Sequence, residues 1–362
     1  MKHLKGLDGL RGILALGVAL SHSYSHFTGW HTGYDIFHNP DYAVDIFFVL
    51  SGIVLCSAYN GKIASKSFDF IDFFIIRFFR LYPLHLIAVG LVPVSLYLST
   101  GSFFPKWMGE INSTNIIGDL TLTNSLGIGF FPKTNIPSWS ISVELYAGTL
   151  IAFLCCLKNK YQLLLLTFSI ALILFLKIDI KGSAHASYPL LSDGVIRCIF
   201  CMSIGVISYN SVMKIRRFLI SLPIFTMCFI SVSFSVLLIV LFGMNFNITG
   251  YLLVTPFIGI SIAMLPLVDF ELRKFLESRT MIFLGKISFS LYLMHTPVVY
   301  LMLMFKGESL PLNIIAATLS IVIALAVSLL THNYIEIPGK NLGRIVIRIK
   351  KGQANIITDP TR

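Results

Sequence analysis

Arg11 and His22 stand eleven positions apart in one apolar stretch. In an α-helix, eleven steps of about 100° end about 20° beyond three full turns. The two side chains therefore share a face, about 16 Å apart along the axis. A guanidinium is a planar fork for anions, and a neutral imidazole is a base near neutral pH. The pair is suited to hold the anionic end of a long co-substrate and to take a proton at its other end. His26 repeats the face of His22 one turn later. A His22/His26 metal pair has no third ligand at metal spacing, so no metal is expected. Other ionisable residues stand in or beside apolar sequence: Asp45, Arg77, Arg80, His85, Glu144, Arg197, His295, His332 and Glu336. A charge at mid-bilayer costs at least about 2.5–3.5 kcal/mol, so such groups face a bundle interior or a wet cavity.

The elements that carry these residues are apolar runs of spanning length. Ten are read: Leu10–Phe27, Ala43–Tyr59, Leu81–Ser99, Ser138–Leu157, Tyr161–Leu176, Gly194–Tyr209, Phe218–Phe242, Gly250–Val268, Phe283–Phe305 and Leu312–Tyr334. Of the 362 residues, 56% are hydrophobic and 12% charged, and the mean hydropathy is +0.81. That is too little charge to cover a soluble surface. A soluble enzyme, a disulfide scaffold and a disordered chain are excluded. The expected fold class is an all-α polytopic membrane protein with about ten transmembrane helices.

The net charge of +11 follows topology rather than nucleic-acid binding. With ten spans, 22 Lys and Arg fall on the side of the termini and 5 on the other, with Arg197 inside a span. The positive-inside rule then puts both termini in the cytoplasm. The basic, apolar start lacks a small-residue cleavage site and is kept as the first span. The six cysteines lie in or at the ends of spans, and Cys198-x-x-Cys201 has no second pair, so neither a disulfide framework nor a metal role is expected. Residues 1–340 form one transmembrane domain. Residues 341–362 form a short basic cytoplasmic tail.

Several of these residues sit in ordered motifs. They are Leu7-Asp8-Gly9-Leu10-Arg11-Gly12 with His22, Val44-Asp45-Ile46-Phe47-Phe48-Val49-Leu50-Ser51-Gly52, and Arg77-Phe78-Phe79-Arg80-Leu81-Tyr82-Pro83. Pro137-Ser138-Trp139-Ser140-Ile141-Ser142-Val143-Glu144, Ser290-Leu291-Tyr292-Leu293-Met294-His295 and Tyr334-Ile335-Glu336-Ile337-Pro338 follow. The set, from about Leu4 to Lys340, resembles the acyltransferase family 3 membrane proteins, which O-acylate glycans and other hydroxyl acceptors. The chain departs from the pattern at Ile53, where Phe is frequent, and at Phe289, where Tyr is common. Some relatives add a carboxy-terminal periplasmic domain, which this chain is expected to lack.

The resemblance implies a cytoplasmic acyl-CoA donor, usually acetyl-CoA, and a glycan or lipid-linked saccharide acceptor at the outer face of a bacterial inner membrane. Arg11, Arg77 and Arg80 would hold the nucleotide phosphates. His22 would be the general base, or would carry the acyl group in a relay. Asp45 or Glu144, both read as lying near the depth of His22, would orient it. Ser138, Trp139 and Ser142 would border the acceptor, with Trp139 as a stacking platform. Arg197 would meet an anionic acceptor or pair with a carboxylate such as Glu144, and His295 would donate a hydrogen bond or pack. His85 and His332 are read as structural. The competing reading is a transporter or flippase of a glycolipid or small solute. That class predicts paired carboxylates and internal repeats, and neither is evident.

Overall fold

The computed structural model describes residues 4–29, 38–64, 68–127, 132–157, 159–180, 191–243 and 247–358. They form fourteen α-helices: α1 (Lys5–Thr28), α2 (Pro40–Ala64), α3 (Phe70–Thr100), α4 (Ser113–Thr121), α5 (Ser138–Leu157), α6 (Asn159–Leu176), α7 (Asp193–Lys214), α8 (Arg216–Ser221), α9 (Pro223–Phe242), α10 (Ile248–Met264), α11 (Glu271–Leu276), α12 (Arg279–Met302), α13 (Leu310–Thr331) and α14 (Ile337–Thr358). Among the described residues there is no β-strand.

The ten apolar runs are helical, except that Leu222 separates α8 from α9 within Phe218–Phe242 and Val268 lies just past the helix. Seven helical stretches are long and apolar enough to cross a bilayer: Pro40–Tyr59, Phe70–Thr100, Asp193–Lys214, Pro223–Phe242, Ile248–Leu267, Arg279–Phe305 and Leu310–Gly352. The chain is thus a multi-pass membrane protein. The apolar parts of α5 and α6, Ser138–Leu154 and Tyr161–Leu176, are shorter. The first helix, α1, is long but interrupted by Gly, Ser and His, because most of its surface meets protein rather than lipid.

Two backbone-to-backbone crossings organise the bundle. A Cβ added at Gly12 of α1 would lie 2.6 Å from the amide nitrogen of Gly285 of α12, and one at Gly285 would lie 2.2 Å from the Asp8 carbonyl oxygen. In the second crossing, a Cβ at Gly52 of α2 would lie 2.3 Å from the Met202 carbonyl oxygen. One at Gly205 of α7 would lie 2.1 Å from that of Val49. Small residues let helices approach this closely, where dispersion and polar contacts replace the hydrophobic effect as glue.

Beyond α13 the described residues continue as helix. The chain passes through a π-turn, His332–Glu336, into α14, which runs along α3. Lys350 pairs with Asp69 at 3.3 Å and Asp72 at 3.2 Å, and Lys351 with Asp72 at 2.7 Å. Asp69 also caps α3 by accepting from the amides of Ile71 and Asp72. The Asp72 amide, seconded by Lys350, holds the Asp69 carboxyl below its ordinary pKa.

Candidate active site

Two polar layers occupy the bundle. The first is built where α1 meets α12. Nδ1 of His22 lies 2.9 Å from Nε2 of His295, and Nδ1 of His295 lies 3.0 Å from the Leu291 carbonyl oxygen. A carbonyl can only accept, so neutral His295 carries its proton on Nδ1 and accepts at Nε2. His22 must then donate from Nδ1, which leaves a lone pair on its Nε2. Thr296 Oγ1 also stands 3.4 Å from His295 Nε2. A small cavity of about 60 Å³ opens beside the pair, lined by His22, His26, Ile136, Pro137, His295, Thr296, Val299 and Tyr300.

The second layer lies towards Arg11. Arg77 Nη2 sits 3.0 Å from Glu144 Oε1, which also accepts from Ser51 Oγ at 2.7 Å. Arg80 binds Glu336 at 3.0 Å, and Glu336 also takes hydrogen bonds from Ser290 at 3.1 Å and His332 at 2.8 Å. The charge of Arg11 is felt by Glu144, and Arg77 and Arg80 lie within its electrostatic range. Arg11 itself makes no hydrogen bond to another described residue. Arg77 and Arg80 are thus each held by a carboxylate, within electrostatic range of Arg11.

The structure sets the expected carboxylates elsewhere. Neither Asp45 nor Glu144 hydrogen-bonds His22; His295 does. The reason for Glu144 lies in the buried residues on either side of the start of α5, among them Leu122, Asn124, Thr134 and Asn135. Asp119 Oδ2 accepts from the Lys133 and Thr134 amides and the Thr134 hydroxyl, and Oδ1 accepts from Asn124 Nδ2. Asn124 also donates to Ser138 Oγ, and Asn135 donates to the Leu293 carbonyl. His85 Nε2 donates to the Asp119 carbonyl at 2.6 Å. Helix α5 therefore starts already buried, with Ser140 bonded to the Tyr292 hydroxyl at 2.8 Å. Glu144 lies six residues, or about 9 Å, further along α5, with the arginines.

Asp45 belongs to another arrangement. Arg197 Nε and Nη2 grip its two oxygens at 3.0 and 2.9 Å, and Arg197 Nη2 donates to the Asp41 carbonyl at 3.0 Å. Both side chains are fully buried. The Arg197 guanidinium also lies 5.4 Å from the centre of the Trp139 ring. Arg197 is therefore occupied by Asp45 rather than by Glu144 or a substrate. Trp139 is 3% exposed, too buried to be a stacking platform. Ser138 and Ser142 are fully buried, the first held by Asn124, the second with no partner for its hydroxyl. None of these four borders the cavity. His295 does, and so does His26.

Sequence reasoning missed Asp119, Asn124 and Tyr300, and it missed Trp107. The Trp107 ring meets Tyr300 edge-on at 5.7 Å and tilts over His26 at 6.1 Å, while 53% of the residue stays exposed. The density of Asn, Thr, Ser and Pro in 112–125 and 132–137 was the available signal that these stretches are held by side-chain hydrogen bonds. Among the described residues no group of three His, Cys, Asp or Glu is arranged to hold a metal ion.

A family model described as an acyltransferase domain matches residues 4–333. The chain belongs to acyltransferase family 3. A Staphylococcus aureus (strain COL) protein named "Putative O-acetyltransferase SACOL0978" is 24% identical over 378 aligned positions, covering 95% of this chain and 58% of that protein. "Protein 2 in picA locus" of Rhizobium radiobacter is 29% identical over 157, covering 40% of this chain and 79% of that protein. "Acyltransferase MdmB" of Streptomyces mycarofaciens is 30% identical over 149, covering 39% and 36%. The chain thus spans little more than half the length of the staphylococcal relative. No solved structure matches.

Proposed function

We propose that this family 3 chain is an inner-membrane O-acyltransferase of a bacterium. It moves an acyl group, acetyl by preference, from cytoplasmic acyl-CoA to a hydroxyl of a glycan or lipid-linked saccharide. The observation that carries the reading is the relay Leu291 carbonyl, His295, His22, which leaves the Nε2 lone pair of His22 as the base. Arg11, with Arg77 and Arg80 beside it, receives the donor phosphates, since guanidinium forks match them. The termini and this arginine layer face the cytoplasm, in keeping with the distribution of Lys and Arg.

In the reaction, His22 Nε2 takes the proton of the acceptor hydroxyl as its oxygen attacks the thioester carbonyl. The C–O bond forms, the C–S bond breaks, and the leaving thiolate takes the proton back from His22. His22 Nδ1–H stays bonded to His295 throughout, so the ring keeps its orientation. Glu144 positions Arg77. Asp45 and Arg197 hold α2 against α7.

The test is CoA release and acyl transfer by purified protein in detergent with acetyl-CoA and surface glycans. Parent protein should release CoA, and His22→Asn should bind acetyl-CoA yet lose transfer by about 10²–10⁴-fold. A stable His22→Asn protein with parent turnover defeats the assignment. A parent that never releases CoA, but moves a glycolipid across vesicles, favours the transporter class instead.

A further inference from the structure

We propose that Trp107, backed by Tyr300 and His26, is the docking platform for a neutral sugar ring of the acceptor, at the mouth of the His22/His295 cavity. The inference rests on the acyltransferase reading for its chemistry, but its geometry stands by itself.

Four observations support it. First, Trp107 is continuous with the cavity, because both aromatic rings it touches, His26 and Tyr300, line that cavity. Second, Trp107 is pinned from behind. His26 and Tyr300 pack edge-to-face at 5.2 Å and 89°, Tyr300 is 1% exposed, and Lys306 Nζ bonds the His26 carbonyl oxygen. An indole packed against two such rings and still half exposed has less freedom to lose on binding, which is the property a stacking platform needs.

Third, Trp107 differs from the exposed aromatics nearby. Tyr97 and Phe103 stack on each other at 4.5 Å, about half exposed, at the carboxy-terminal end of α3 and just beyond it. They form an interface-belt pair that shares no ring with the cavity. Fourth, the cavity is lined by imidazoles, Thr296 and apolar groups, with no carboxylate, lysine or arginine. The imidazoles and Thr296 suit hydroxyls, and the indole face suits the C–H face of a pyranose. Among the lining side chains a phosphorylated or acidic residue finds no counter-charge; the nearest is Lys306, already bonded to the His26 carbonyl. The stacked ring would present a hydroxyl towards His22 Nε2.

The experiment uses the full chain in detergent and two independent readouts. Saturation-transfer NMR with a panel of methyl glycosides (gluco, galacto, manno and N-acetylglucosamine) reads binding without turnover. Acyl transfer to the same glycosides from acetyl-CoA reads KM against kcat, with CoA release in their absence as the donor-side control. Trp107→Ala should cut saturation transfer at least several-fold and raise KM about tenfold, with kcat, acceptor-free CoA release and melting temperature near parent values. Trp107→Tyr should recover most of the binding, while Phe103→Ala, which removes only a belt aromatic, should change neither readout. Equal binding by parent and Trp107→Ala overturns the platform, and so does saturation transfer to no glycoside. Equal losses in the Trp107→Ala and Phe103→Ala proteins would mean membrane anchoring and overturn it too. A parent that binds glycosides through Trp107 but releases no CoA keeps the platform and defeats the acyltransferase reading.

Discussion

His22 lies ten residues beyond Gly12, and His295 lies ten residues beyond Gly285. Because the two glycines cross and the two histidines bond at 2.9 Å, α1 and α12 run parallel in equal register over about 15 Å. The glycine crossing is the fulcrum that sets the histidine pair.

Replacing His295 should cost activity through the tautomer of His22. In His295→Ala, Nδ1–H of His22 loses its acceptor, and the proton can move to Nε2. Turnover should fall, by less than the about 10²–10⁴-fold expected for removing the base itself. His295→Gln, whose amide oxygen can accept, should retain more. Steady-state transfer rates of the three proteins check this.

Enlarging the fulcrum should separate the pair. Gly12→Ala or Gly285→Ala places a methyl against backbone, where overpacking costs about 1–3 kcal/mol. Both variants should melt earlier and lose transfer. Gly90→Ala has no atom within 4 Å of the added carbon and should be silent.

The arginine layer should govern donor affinity. A hydrogen bond to a charged group contributes about 1.5–3 kcal/mol, so Arg11→Ala should weaken acetyl-CoA binding roughly ten- to a hundredfold by calorimetry. It should leave stability nearly intact, as Arg11 bonds no described residue. Arg77→Ala and Arg80→Ala should weaken binding and also destabilise, because Glu144 and Glu336 lose partners. Lysine should rescue these positions in part, lacking the planar fork.

Breaking the buried Asp45–Arg197 pair should be a folding defect. Arg197→Met leaves a carboxylate uncompensated in the core, at a cost of about 3–5 kcal/mol. The Asp45→Asn, Arg197→Met double variant should recover part of that stability in a thermal melt. Donor affinity of the folded fraction should match the parent.

The docking of α14 on α3 should weaken in acid. Asp69 has a lowered pKa in the folded protein, so its contribution is fully present above the ordinary carboxylate value and is lost as pH falls through the lowered one. Hydrogen exchange over 340–352 should rise in that window. Asp69→Asn should show the raised exchange at neutral pH and lose the pH dependence.

The amino-acid sequence determined the helical class, the positions of the apolar runs and the shared face of Arg11 and His22. All three follow from local periodicity and the cost of wet backbone in lipid. It also singled out the arginines and His295, since ionisable groups in apolar sequence are rare enough to stand out. What it left undecided was which of them meet. Glu144 falls to the arginine layer because the start of α5 is buried, with Asn124 bridging Asp119 and Ser138. Asp45 was claimed by Arg197, and Trp139 was buried beneath that pair. The proposed platform falls to Trp107, in the short turn Lys106–Met108 between α3 and α4. Partner choice depends on the register between helices far apart in the chain. Glycine crossings and side-chain packing fix that register, and only the tertiary structure contains them.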